Sequence, residues 1–168
     1  MSEYRDQKAA RPKVEDVILD LVKEEHRETA LDFVGYIRAD KMAPAWASTN
    51  SWKVSYKGQC LCYLRTAGTA RYHNLDDGSW HINFAVYSDN VYEISVSDEA
   101  VKMIWDNVRY CTNCSNCIPA NHLTINGKEF DKVCHQWLVI KNPDADQLNC
   151  IKKLLEAVRF TILKKDKE

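Results

Sequence analysis

Seven cysteines occur in the 168 residues, and four of them fall between Cys111 and Cys134. The run Cys111-Thr-Asn-Cys114-Ser-Asn-Cys117-Ile-Pro119 repeats a two-residue spacer, and Cys134 follows after a hairpin signal at Asn126-Gly127. Thiolates are metal ligands, and short fixed spacers let neighbouring ones converge on a single ion. Zinc is satisfied by four thiolates in a tetrahedron, which makes a closed, structural site. The spacing therefore predicts zinc held by Cys111, Cys114, Cys117 and Cys134.

An iron-sulfur cluster is the rival. Closely spaced cysteines with a fourth ligand elsewhere in the chain are also the pattern of bacterial ferredoxins. The usual zinc ribbon has two separated CxxC pairs, and the second pair is missing here. A third reading leaves the cysteines as loop thiols without metal. Geometry tests whether Cys134 belongs with the rest. If Asn126-Gly127 forms a two-residue hairpin loop, Leu123 faces Phe130 and Cys134 opposes Pro119, two residues from Cys117. In the same register His122 lies opposite Asp131 and is a substitute fourth ligand. Cys134-His135 resembles a nucleophile and base, but neighbours on a strand point to opposite faces and cannot share a hydrogen bond. No catalytic set is found, and the reading leans away from an enzyme.

Aromatic residues suggest a second site. Trp46, Trp52, Tyr56, Tyr63 and Trp80 lie in or beside a predicted meander, and with Arg65 as a polar anchor they can line a pocket for a small molecule. The competing reading is core, where strand aromatics usually go. Strand alternation places Cys60 and Cys62 on one face, as a ligand pair or, the favoured reading, as small core hydrophobes. His73 and His81 flank a predicted turn and read as surface residues.

These side chains need elements to hold them. Residues 1 to 12 are polar and read as a flexible tail, and residues 13 to 168 as one domain containing the cysteine-rich segment at 111 to 134. Val14, Val17, Ile18, Leu21 and Val22, then Ala30, Phe33, Val34 and Ile37, recur at helical spacing, as two helices or one with a bend. Residues Met42 to Ser51 lack a period and read as a loop. Trp52 to Lys57, Gln59 to Arg65, Trp80 to Val86 and Val91 to Val96 read as four strands of an antiparallel meander, the first pair joined at Gly58. Ser97 caps a helix with Val101, Ile104, Trp105 and Val108 as its apolar stripe, which delivers the chain into Cys111. Val133 to Ile140 is a further strand, and Asn142-Pro143 opens a last helix through Leu148, Ile151, Leu155, Val158 and Ile162. The class is α+β: a two-layer fold with an antiparallel β-meander covered by helices and a cysteine-rich hairpin insertion.

A hydrophobic content of 45% over this length supports one compact core. The formal charge of -1 lacks the basic excess of a nucleic-acid binder. The start Met1-Ser-Glu-Tyr-Arg-Asp-Gln-Lys has no apolar signal segment, and no run of apolar residues is long enough to span a bilayer. A cytoplasmic protein without nucleic-acid or membrane partners is expected, with reduced cysteines available to metal.

The order of the helical segment VEDVILDLVKEEHRETALDFVGYIR, a loop and WKVSYKGQCLCYLR resembles the small YdhG-like family over residues 14 to 65. Its members have been connected with frataxin-like iron handling. The resemblance implies a two-layer α+β fold and carries no functional residue.

Overall fold

The computed structural model describes residues 3–66, 77–85, 90–111 and 122–165. The fold is α+β. In chain order the elements are α1 (Glu3–Ala10), α2 (Val14–Leu21), α3 (Glu24–Ala39), β1 (Pro44–Ser48), β2 (Ser51–Tyr56), β3 (Gln59–Thr66), β4 (Trp80–Ala85), β5 (Asn90–Tyr92), α4 (Asp98–Asp106), β6 (Val108–Tyr110), β7 (Leu123–Ile125), β8 (Lys128–Phe130), β9 (Val133–Lys141) and α5 (Ala145–Lys165). One sheet has the strand order β1-β2-β3-β4-β9-β6, and a second the order β5-β7-β8. The chain divides into two compact units, Met1–Ile82 with Ile140–Asp144 and Asn83–Val139 with Ala145–Glu168. None of the helices among the described residues is long and apolar enough to cross a membrane.

In the first unit the periodic apolar positions of α2 and α3 do what their spacing predicts. Val14, Val17, Ile18, Ala30, Phe33, Val34 and Ile37 are all buried. The helix breaks at Val22, which is extended at φ -87 and ψ 135. A bidentate ion pair between Arg38 and Glu15, at 2.7 and 3.0 Å, ties the two helices together. It also holds the Glu15 carboxyl below its ordinary range. The residues read as a tail carry α1, which Gln7 fastens to the β1–β2 connection. Its amide donates to Asn50 Oδ1 at 2.6 Å and accepts from the Asn50 backbone N–H at 2.9 Å. The stretch read as a loop contains β1, because Trp46 finds a cross-strand partner in Trp52. Aromatic pairing of this kind stabilises a strand that propensity alone does not signal. The β2–β3 turn is tight as expected, with Lys57 at φ 47 and Gly58 at φ 78.

Four strands are neighbours in chain order, β1-β2-β3-β4, but the fourth is β1 and not β5. β5 leaves the large sheet and pairs in parallel with β7, Val91 facing Thr124. The place beside β4 is taken by β9. In the second unit β9 sends Trp137 against Phe84, with ring centroids 5.8 Å apart, and against Tyr92 at 5.9 Å and an interplanar angle of 18°. Asn126 holds β5 in its new position: its side chain accepts from the Ile94 N–H at 2.8 Å and donates to the Ile94 carbonyl at 3.0 Å.

Of the two predicted helix caps, one is observed and one is not. Ser97 accepts from the Ala100 N–H at 3.3 Å, the predicted N-cap of α4. Asn142 does not cap α5, which begins at Ala145. It stands at φ 42 instead, and its side chain accepts from the Trp80 N–H at 2.9 Å while its own N–H donates to the Trp80 carbonyl at 2.9 Å. Strand pairing with β4 outcompetes helix capping at that residue.

Candidate functional site

The hairpin register deduced from Asn126-Gly127 is the observed one. Leu123 faces Phe130, Thr124 faces Glu129 and Ile125 faces Lys128. Asn126 at φ 46 and Gly127 at φ 73 occupy the two left-handed positions that a two-residue loop with the twist of the strands requires. The hairpin is clamped by Trp105, whose indole N–H donates to the Ile125 carbonyl at 3.0 Å. The Lys128 ammonium stands 4.7 Å from the centre of the Trp105 ring and 5.1 Å from that of Phe130.

His122 takes its predicted place opposite Asp131, with Nδ1 and the carboxylate 2.8 Å apart. Its Nε2 lies 3.3 Å from the Thr124 hydroxyl and 3.9 Å from the Glu129 carboxylate. The bond to Asp131 raises the His122 pKa above its ordinary value.

Beyond Phe130 the chain departs from the expected ladder. Lys132, at φ 54, turns it out of the small sheet, and β9 starts at Val133 in the large one. Cys134 therefore stands in β9, between β4 and β6 in the large sheet, and the Pro119 it was expected to oppose lies outside the described residues. Tyr110 pairs with Val133, and the Cys111 N–H donates to the Lys132 carbonyl at 2.8 Å. Cys111 thus follows a short strand and not a helix end, as α4 stops at Asp106 and β6 intervenes. The hydrogen bond to Lys132 joins Cys111 to the residue two before Cys134, which itself lies where the pairing of β9 with β6 shifts register, between Val133 and Leu138. Cys134 is buried and Cys111 half-buried. Cys114, Cys117 and Pro119 lie outside the described residues. Among the described residues no three His, Cys, Asp or Glu side chains gather as a metal site.

The aromatic set does not form one pocket. Trp46 faces Trp52, and Trp52 faces Leu64, on one side of β1, β2 and β3. Tyr63 faces Lys53 and Arg65 faces Ser51, on the other side. Trp52 and Trp80 are core residues, 1% and 0% exposed. The Trp46 indole donates to Gln7 Oε1 at 3.3 Å, the Trp52 indole to the Pro12 carbonyl at 3.2 Å, and Trp80 packs on Phe33 at 6.1 Å. Tyr56 pairs with Gln59 at the turn and is half-buried.

Cys60 and Cys62 are separated by a bulge. Val54 faces Cys62, yet Ser55 faces Cys60, so Leu61 is the extra residue. Partners across a ladder share a face and consecutive residues do not, which puts the two thiols on opposite faces. Cys62 is fully buried, and burial pushes its thiol well up. Cys60 is hydrogen-bonded to Tyr63. His81 is buried at 1% exposure and not a surface residue, because both faces of β4 are covered. His73 lies outside the described residues. Sequence reasoning missed Lys53, which only the register joins to Tyr63, and Gln7, whose role no local pattern announces.

No family model, curated protein or solved structure matches this chain.

Proposed function

We propose that the chain is a non-enzymatic binding or regulatory domain in which Cys111, Cys114, Cys117 and Cys134 hold a structural zinc ion. The observation that carries this reading is the backbone hydrogen bond from the Cys111 N–H to the Lys132 carbonyl, which brings the chain at Cys111 beside the start of β9, where Cys134 lies. Tetrahedral zinc with bonds of about 2.3 Å wants its sulfurs roughly 3.8 Å apart, a spacing that side chains from two neighbouring stretches of backbone can supply. In this reading Cys134 joins from the start of β9, and Cys114 and Cys117 follow Cys111 in sequence at spacers that suit the remaining two positions.

The test is metal analysis of full-length protein purified anaerobically, with Cys114→Ser and Cys134→Ser beside it. One zinc per chain in the wild type, lost or sharply reduced in both variants, is the expected result. A metal-free wild type with undiminished thermal stability overturns the reading. A brown protein containing iron and acid-labile sulfide transfers the same thiolates to an iron-sulfur cluster, the chemistry closest to the iron handling of the family it resembles. Zinc retained by Cys134→Ser moves the fourth ligand elsewhere, with His122 the first candidate.

A further inference from the structure

The side-chain amide of Gln7 in α1 is met on both of its polar atoms by β1 and the turn that follows it. Its Nε2 donates to Asn50 Oδ1 at 2.6 Å, and its Oε1 accepts from the Asn50 backbone N–H at 2.9 Å and from the Trp46 indole at 3.3 Å. Both lone pairs of the oxygen and one N–H are thus matched. Two of the three bonds go to one residue, so the amide presents its oxygen and an N–H on the same side. A primary carboxamide does this, whereas the N–H of a trans secondary amide points away from its oxygen.

The receiving groups are held by the sheet and not by α1. Asn50 is 1% exposed and left-handed at φ 52, and its carbonyl accepts from the Thr66 N–H at 3.0 Å. Trp46 is paired with Trp52 across the ladder. A site fixed in this way spends little freedom on binding. The helix that fills it is less secure. Asp6, Lys8, Ala9 and Ala10 are exposed, and Gln7 among them is half-buried. Eight residues are too few to hold a helix in water, so α1 depends on its docking. Arg11, at its end, stands at φ 46 immediately before Pro12, a left-handed conformation that costs a residue with a side chain and is relieved when α1 lets go.

We propose that the β1–β2 turn is a binding site for a primary carboxamide and that α1 is a latch whose Gln7 occupies it. Docked, α1 is helical and closes the site; released, it unfolds and leaves the Asn50 and Trp46 groups open to the carboxamide of another molecule. The site belongs wholly to the first unit and is independent of the cysteine cluster.

Gln7→Ala in the full chain is the test, because alanine removes the carboxamide and is the better helix former. The Arg11 amide donates to the Gln7 carbonyl at 2.7 Å and reports on α1. Its hydrogen exchange should be about tenfold faster in Gln7→Ala, the equivalent of one lost hydrogen bond, while β2 and β3 keep their protection. Acetamide is the probe for the emptied site. Titrated into Gln7→Ala, it should shift the Asn50 amide and Trp46 indole resonances saturably, and N-methylacetamide should not. The wild type should need about tenfold more acetamide, since Gln7 competes from within the same chain. Arg11 exchange unchanged in Gln7→Ala, equal responses to the two amides, or a wild type as responsive as the variant overturns the proposal.

Discussion

His122 is in hydrogen-bond contact with Asp131 across the hairpin, and this contact governs when the imidazole carries charge. A histidine whose folded pKa is raised binds its proton more tightly folded than unfolded. The resulting stabilisation is complete below the unfolded value, about 6.5, and is lost as pH rises through the higher folded value. Asp131→Asn should return His122 toward the ordinary histidine pKa, read from its ring proton shifts, and should remove the advantage of the wild type only on the acid side of that window. An unchanged titration curve in Asp131→Asn would show that the charge state is set by something else. The position of this pair was legible in the sequence, since a two-residue Asn-Gly loop defines every opposite pair around it. The split of Cys60 from Cys62 was not. It depends on one extra residue in β3, and an apolar run such as Cys60-Leu61-Cys62 gives no local sign of where a ladder slips.

Among the elements, the hairpin β7–β8 is the most strongly specified. Its turn residues are chosen for left-handed backbone, and the Asn126 side chain adds the two hydrogen bonds to Ile94 that keep β5 beside β7. Asn126→Ala gives up both bonds, at about 0.5–1.5 kcal/mol each, and places a Cβ-bearing residue without a compensating side chain at φ 46. The left-handed penalty adds about 1–2 kcal/mol, for a total of about 2–5 kcal/mol in urea denaturation. Asn126→Gly relieves the backbone and loses only the bonds, so it should be the milder variant. Equal losses would mean that strain at the turn contributes nothing. The exit of β5 from the meander could not be foreseen, because Val91 to Val96 has the composition of any short strand. Its partner was decided by Asn126, more than thirty residues away in sequence, and by β9 taking the place beside β4.

On the scale of the whole molecule, the proposed metal ties together segments of the second unit only: the end of β6, the residues that follow it and the start of β9. Stripping it with a chelator should speed amide exchange in 108–111 and 132–134 while β2 and β3 keep their protection. Uniform acceleration along the chain, or none, would contradict a local structural role for the ion. By itself the sequence determined the α+β class, the apolar faces of α2, α3 and α5, the Ser97 cap and the hairpin register. All of these follow from periods, caps and turn chemistry that act within a few residues. Tertiary structure alone decided which strands became neighbours. That choice brought Cys111 beside Lys132, sent Tyr63 and Arg65 to the face opposite Trp52, and set Lys53 across from Tyr63. The physical reason is that a strand's composition specifies a pleated, half-buried surface, whereas its partner and register are selected by competition among distant edges for the same hydrogen bonds.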